Sequence, residues 1–184
     1  MGNFYTNFTA KTDSQTIIID ALRANKRVAL VSPVINDYLV VFDRSCEDQN
    51  YQDLLDVGRL LSETTQGPVL GVLNHDDDML CYLLFINGEL QDEYNSEPQY
   101  FDDDASPDRG GDPELLCSAF DCQSAVDRVR EILEGDDHTF ACELHQILVD
   151  TLGLPTYAVD CGYYSKEVVE LPPDLSADDL VDVE

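Results

Sequence analysis

The spacing of apolar and polar positions changes period repeatedly along this chain, and each change marks an element boundary. Residues 3–10 are aromatic and β-branched, which predicts a strand. Thr12 with Gln15 three positions on reads as a capping box. It opens a helix to about Asn25, with Ile17, Ile18, Ala21 and Leu22 as its apolar side. The apolar runs 28–31 and 38–42 flank an Asn36-Asp37 turn and predict a hairpin. Tyr51, Leu54, Leu55, Gly58, Leu61 and Ser62 then recur at helical spacing, as far as the Gln66-Gly67-Pro68 stop. Gly58 lowers helix propensity on the inner face, so close approach of this helix to a sheet is expected there. Two further strands, 69–73 and 79–86, lie either side of a polar turn. Asn87-Gly88 reverses the second into a third, 89–94.

The resulting order is β-α-β-β-α-β-β-β. Its first six elements match an α+β, ferredoxin-like layout: a split β-α-β antiparallel sheet with two helices on one face. The last two strands extend it as a hairpin. Residues 95–113, rich in Asn, Ser, Pro, Gly and Asp, read as a loop or linker. Asp112-Pro113 supplies an N-cap and a Pro at the first helical position, opening a helix to about Phe120. Helices over about 122–134 and 138–152 follow, the latter ending at Gly153. Tyr157 to Tyr164 suggests a short strand. The expected organisation is one domain over 1–172: a sheet with two helices (3–94), a loop (95–113), and a helical segment with a short strand (112–165). An acidic tail, 173–184, is expected to fray.

Several segments carry a resemblance. They are the opening Met-Gly-Asn-Phe-Tyr-Thr-Asn, Val31-Ser32-Pro33, residues 69–78 with Leu-Asn-His-Asp-Asp-Asp, the strand pair 85–94, and Leu152-Gly153-Leu154-Pro155. Together they resemble an uncharacterised family of bacterial proteins. The resemblance implies a bacterial origin and one continuous unit from the first strand to the Leu-Gly-Leu-Pro helix end. It implies no activity, cofactor or ligand, so it assigns no residue a role.

Composition then narrows the partners. The 184 residues are 43% hydrophobic, enough for a packed core, and no run of about 18 apolar residues exists to suggest a membrane span. The opening residues lack a basic n-region and an apolar h-region, so no export signal is expected. Six cysteines without C-x-x-C spacing then read as reduced thiols of a cytoplasmic protein. The formal charge is −28. After residue 70 there are 29 acidic and 4 basic side chains, so −25 of that charge lies there. Such a surface repels phosphate backbones and anionic lipid, which argues against direct nucleic-acid or membrane binding. The acids are mostly short, 26 Asp against 12 Glu, which suits either a surface for a basic partner or hydration in concentrated salt.

Four groups of residues are candidates for chemistry or recognition. His75, Asp76 and Asp78, with Asp77 between them, could hold a hard divalent cation, although a solvated turn explains the same residues. His138, Cys142 and His145 have zinc-ligand types at i, i+4, i+7, against the alternative of a core histidine beside a core thiol. Cys161 is the most exposed-looking thiol, but Asp160 beside it disfavours a thiolate. Asp102, Asp103 and Asp104, with Tyr163 and Tyr164 beyond Tyr157, could form a partner surface. No nucleophile elbow, phosphate-binding loop or dinucleotide fingerprint occurs.

The leading expectation is a non-enzymatic acidic protein that binds a basic protein partner, as an immunity protein or nucleic-acid mimic does, with no cofactor. A metal-dependent hydrolase at the His75–Asp78 turn and pure salt adaptation are the alternatives.

Overall fold

The computed structural model describes residues 2–135, 138–165 and 176–184. A seven-stranded antiparallel sheet divides it into two faces. The strands are β1 (Tyr5–Lys11), β2 (Ala29–Val31), β3 (Tyr38–Asp43), β4 (Pro68–His75), β5 (Met79–Ile86), β6 (Glu89–Asn95) and β7 (Val181–Val183). They lie in the order β6-β5-β4-β1-β3-β2-β7, so β3 separates β2 from β1. The helices are α1 (Gln15–Ala24), α2 (Tyr51–Thr65), α3 (Pro113–Ala119), α4 (Val126–Glu134) and α5 (Ala141–Leu152).

α1 and α2 cover one face. Ile18, Ile19 and Leu22 of α1 and Leu54, Leu55, Val57 and Leu61 of α2 pack on Phe8, Val41, Val69 and Phe85. Gly58 explains how closely α2 sits: a Cβ there would lie 2.1 Å from the Phe85 ring. The exposure of Ile17 and Tyr51 departs from the expected inner stripes of α1 and α2. The first helix also starts at Gln15 after Ser14, because the Thr12 hydroxyl instead accepts the Ser14 N–H and closes a turn ahead of it.

The opposite face is closed by later sequence. Over β4, β5 and β6 lie α3, α4 and α5, burying Leu116, Val129, Ile132, Leu144 and Leu148 against Val72, Leu80, Tyr82 and Leu84. Over β2 and β3 lies the segment 157–161, with Tyr157, Ala158 and Cys161 against Leu30, Val40 and Phe42. This segment holds a 3-10 turn, Thr156–Ala158, in place of the expected strand. Its carbonyl groups at Ala158 and Cys161 accept from Asn7 Nδ2 at 2.7 and 2.9 Å, so they cap a side chain of β1 and form no ladder. β1 is therefore buried on both sides, which is why Thr6, Asn7 and Thr9 are buried polar residues.

Two expectations about the margins change. The 95–113 stretch is tied at both ends: Asn95 N–H donates to Arg109 O at 2.8 Å and Gly111 N–H to Glu93 O at 2.9 Å. It is a closed loop on the sheet, not a linker. Of the expected fraying tail, residues 173–175 lie outside the described residues. Its last part forms β7 on β2 and buries Leu180 and Val183. Among the described residues no helix is long and apolar enough to cross a membrane. The six cysteines are free, and each is buried or half-buried.

Candidate functional site

One end of the sheet gathers most of the unusual surface chemistry. It is built on the β4–β5 connection, the three-residue turn Asp76–Asp78, with Asp76 and Asp77 at positive φ (55° and 60°). Asp tolerates this conformation because its side chain bonds locally. Asn74, buried in β4, fixes the turn: its amide donates to Asp77 Oδ1 at 2.9 Å, and its oxygen accepts the Asp77 N–H at 3.2 Å. The chain start adds two clamps, Gly2 N–H to Asp76 Oδ1 (2.8 Å) and Asn3 N–H to Asp77 Oδ2 (2.9 Å). The start of α5 adds a third, Ala141 N–H to Asp77 O (2.7 Å).

His75 lies beside this turn within an aromatic cluster. Phe4, Tyr100 and Phe101 meet its ring edge-to-face at centroid separations of 4.9, 5.6 and 5.0 Å. Its Nδ1 is hydrogen-bonded to Gln49 Oε1 at 2.6 Å, and Tyr100 O–H donates to Asp78 Oδ2 at 3.1 Å. Phe101 is 71% exposed and Phe4 47%. Phe140, also exposed, precedes the Ala141 clamp. Asp102, Asp103 and Asp104 follow Phe101 in the same loop, fully at the surface.

The expected metal groupings do not assemble. His75, Asp76 and Asp78 make separate contacts, with Gln49, Gly2 and Tyr100. Among the described residues they are not among the sets of three ligand atoms within 4.8 Å of one another. The second expected set also separates. α5 begins at Ala141, so His138 precedes the helix and shares no helical face with Cys142 and His145. The cause is local: Glu143 accepts the N–H groups of Thr139 and Phe140 and holds both ahead of the first turn. His145 is 1% exposed, hydrogen-bonded through Nδ1 to Tyr5 Oη at 2.8 Å, and burial holds its pKa down at about 3. The grouping that does assemble is Asp77, Cys142 and Asp160. Burial, then the carboxylates of Asp160 and Asp77, push the Cys142 thiol up to about 11.

The tyrosine-rich patch also divides. Tyr157 is buried and hydrogen-bonded to Ser32 Oγ at 3.1 Å, whereas Tyr164 is exposed and half-buried Tyr163 packs edge-on to it at 5.2 Å. The Tyr163 N–H donates to Glu47 Oε1 at 2.9 Å. Burial raises the Glu47 carboxyl, and the hydrogen bonds from Tyr163 and Thr6 oppose the rise. Cys161 is not exposed: it is 2% accessible, and burial followed by Asp160 raises its thiol to about 11.

A groove of about 650 Å³, absent from the sequence reading, opens beside the cluster on the α2 face of the sheet. Leu54, Leu73, Met79 and Leu83 supply its apolar lining, and Phe101, Tyr51 and Glu93 are part of its wall. Tyr51 O–H donates to Glu93 Oε2 at 2.8 Å. Burial and then Glu93 raise the Tyr51 phenol to about 12, against an opposing effect of Arg59. The same two causes hold the Cys81 thiol, also in the lining, at about 12. With both groups held protonated, neither the phenol nor the thiol is poised as a nucleophile.

Comparison with family models, with curated proteins and with solved structures found no match, so the resemblance to a bacterial family rests on the sequence segments alone.

Proposed function

We propose that this protein is a non-enzymatic binding module whose aromatic and acidic sheet end recognises a basic segment of a partner protein. The observation that carries this reading is the exposed cluster of Phe4, Tyr100 and Phe101 around His75, edged by Asp76, Asp78 and the Asp102–104 run. Exposed aromatics are typical anchors of interfaces, and their faces attract cations. Carboxylates at the rim steer a cationic partner and raise its association rate. The strand order β4-β1-β3-β2 with α1 and α2 on one face supports a ferredoxin-like core as the scaffold.

The test is calorimetry with arginine-rich and lysine-rich peptides at 50 and 500 mM KCl. Binding should weaken with salt. Phe4→Ala and Tyr100→Ala should each weaken it at least about 5-fold, as truncated anchors do. Equal affinity for the variants, or no binding of any basic peptide, would remove the reading.

A second reading is favoured by the convergence of Asp77, Cys142 and Asp160: a divalent cation held at the same end. Heat on addition of Mn²⁺ or Zn²⁺, abolished by Asp160→Asn, would support it; no heat would end it.

A further inference from the structure

We propose that the groove beside the aromatic cluster is an anchor pocket for one arginine side chain of the partner. The inference rests on the binding role proposed above and adds to it the residue type that is recognised. Leu54, Leu73, Met79 and Leu83 offer an apolar surface suited to the three-carbon stem of arginine. Phe101 and Tyr51 offer ring faces on which a guanidinium stacks better than an ammonium does. Glu93 supplies the counter-charge, and the Tyr51 hydroxyl holds its carboxylate at 2.8 Å. A carboxylate has sites for further donors after accepting one such bond, and a guanidinium fork matches them. Asp108 adds a second acid to the lining. The lining holds two acids, Glu93 and Asp108, against one cation, Arg109, whose guanidinium donates to Gly135 O at 3.1 Å and lies 4.0 Å from Glu97.

Charge complementarity separates this occupant from an apolar one. A leucine or phenylalanine would fill the floor but leave Glu93 and Asp108 against hydrocarbon, at a desolvation cost. A lysine would satisfy one carboxylate without the planar stacking.

The chain offers a direct reporter. It has two methionines, and Met79 lines the groove. Methyl-¹³C methionine labelling therefore gives few resonances, and Met79→Leu identifies the one in question. Titration with a hexa-arginine peptide should shift the Met79 methyl signal saturably. A hexa-citrulline peptide, equal in shape but uncharged, should bind at least 10-fold more weakly. Glu93→Gln, an exposed and near-isosteric change, should weaken hexa-arginine at least 10-fold with an unchanged circular dichroism spectrum. Binding detected by calorimetry without movement of Met79 would overturn the pocket while sparing the sheet-end role. So would equal affinity of Glu93→Gln and the original chain. Absence of binding by both measurements would overturn both.

Discussion

The two faces of the sheet are closed by different chemistry. The α1/α2 face is built from residues up to Leu90, joined by Val181 and Val183 of β7, and is almost entirely aliphatic and aromatic, with Phe8, Leu61 and Phe85 among its buried residues. The other face is built from residues that arrive late, in α3 to α5 and 157–161, and they bring polar groups inside. Tyr5 meets His145, Asn7 holds the carbonyl oxygens of Ala158 and Cys161, and Asn74 holds Asp77. β1 contributes to both faces. Its alternate residues must therefore satisfy an apolar neighbour on one side and a hydrogen-bonding one on the other. The first face supplies cohesion. The second supplies register, and it shares with Gln49, just ahead of α2, the task of fixing the end that bears the aromatic cluster.

The largest effects test whether the two faces belong to one cooperative unit. Leu61→Ala and Leu148→Ala remove fully buried side chains from opposite faces. Each should cost about 2–5 kcal/mol. In urea titrations each should move one shared transition. A separate, earlier transition in Leu148→Ala would show that the late helices melt independently, and the comparison would become one of two units.

Acid should distinguish the faces next. His145 stays neutral in the folded state down to about pH 3, whereas an unfolded histidine takes up its proton near pH 6.5. Below pH 6.5 the unfolded chain thus binds a proton that the folded chain refuses. Stability present above that pH is lost as pH falls, at up to about 1.4 kcal/mol per unit between 6.5 and 3. His145→Gln removes this dependence. The stability difference between the original chain and this variant, followed from pH 7 to 4.5, should therefore shift against the original chain. Parallel curves would mean that the imidazole is not shielded.

The smallest effect probes the dry face. Gly58→Ala gains about 1 kcal/mol of helix propensity but drives a methyl group into the Phe85 ring. Overpacking of about 1–3 kcal/mol should outweigh this, giving a net loss of up to about 2 kcal/mol. Adding Phe85→Leu should recover part of it; no recovery would mean that α2 shifts without contacting Phe85.

These contrasts also explain what the sequence made legible. From Leu54 onward the α2 stripe, and the Asn87-Gly88 hairpin, follow from local periodicity and turn chemistry and appear as expected. Asn7 carried no local signal of its burial, because what covers it lies about 150 residues away. β7 was lost among acids, as three residues are too few to establish alternation. At the candidate site, His75 and its aspartates drew notice through their density, but Phe4 and Phe101 did not. A signal existed in Tyr100-Phe101 standing beside three aspartates in an otherwise polar loop, where no core demands an aromatic pair. The groove had none, since its wall joins α2, three strands and the loop.

β6 forms one margin of the sheet, and among the described residues only Gly110 pairs with it outside β5, at Tyr94. Its outward residues include exposed Glu89 and Glu93. At neutral pH these repel the margin of a second molecule and keep the open backbone groups from finding a mate. Concentrated salt screens such exposed charges within about 3 Å at 1 M, and the guard then weakens. High salt would then promote strand-to-strand stacking of intact molecules into ladders.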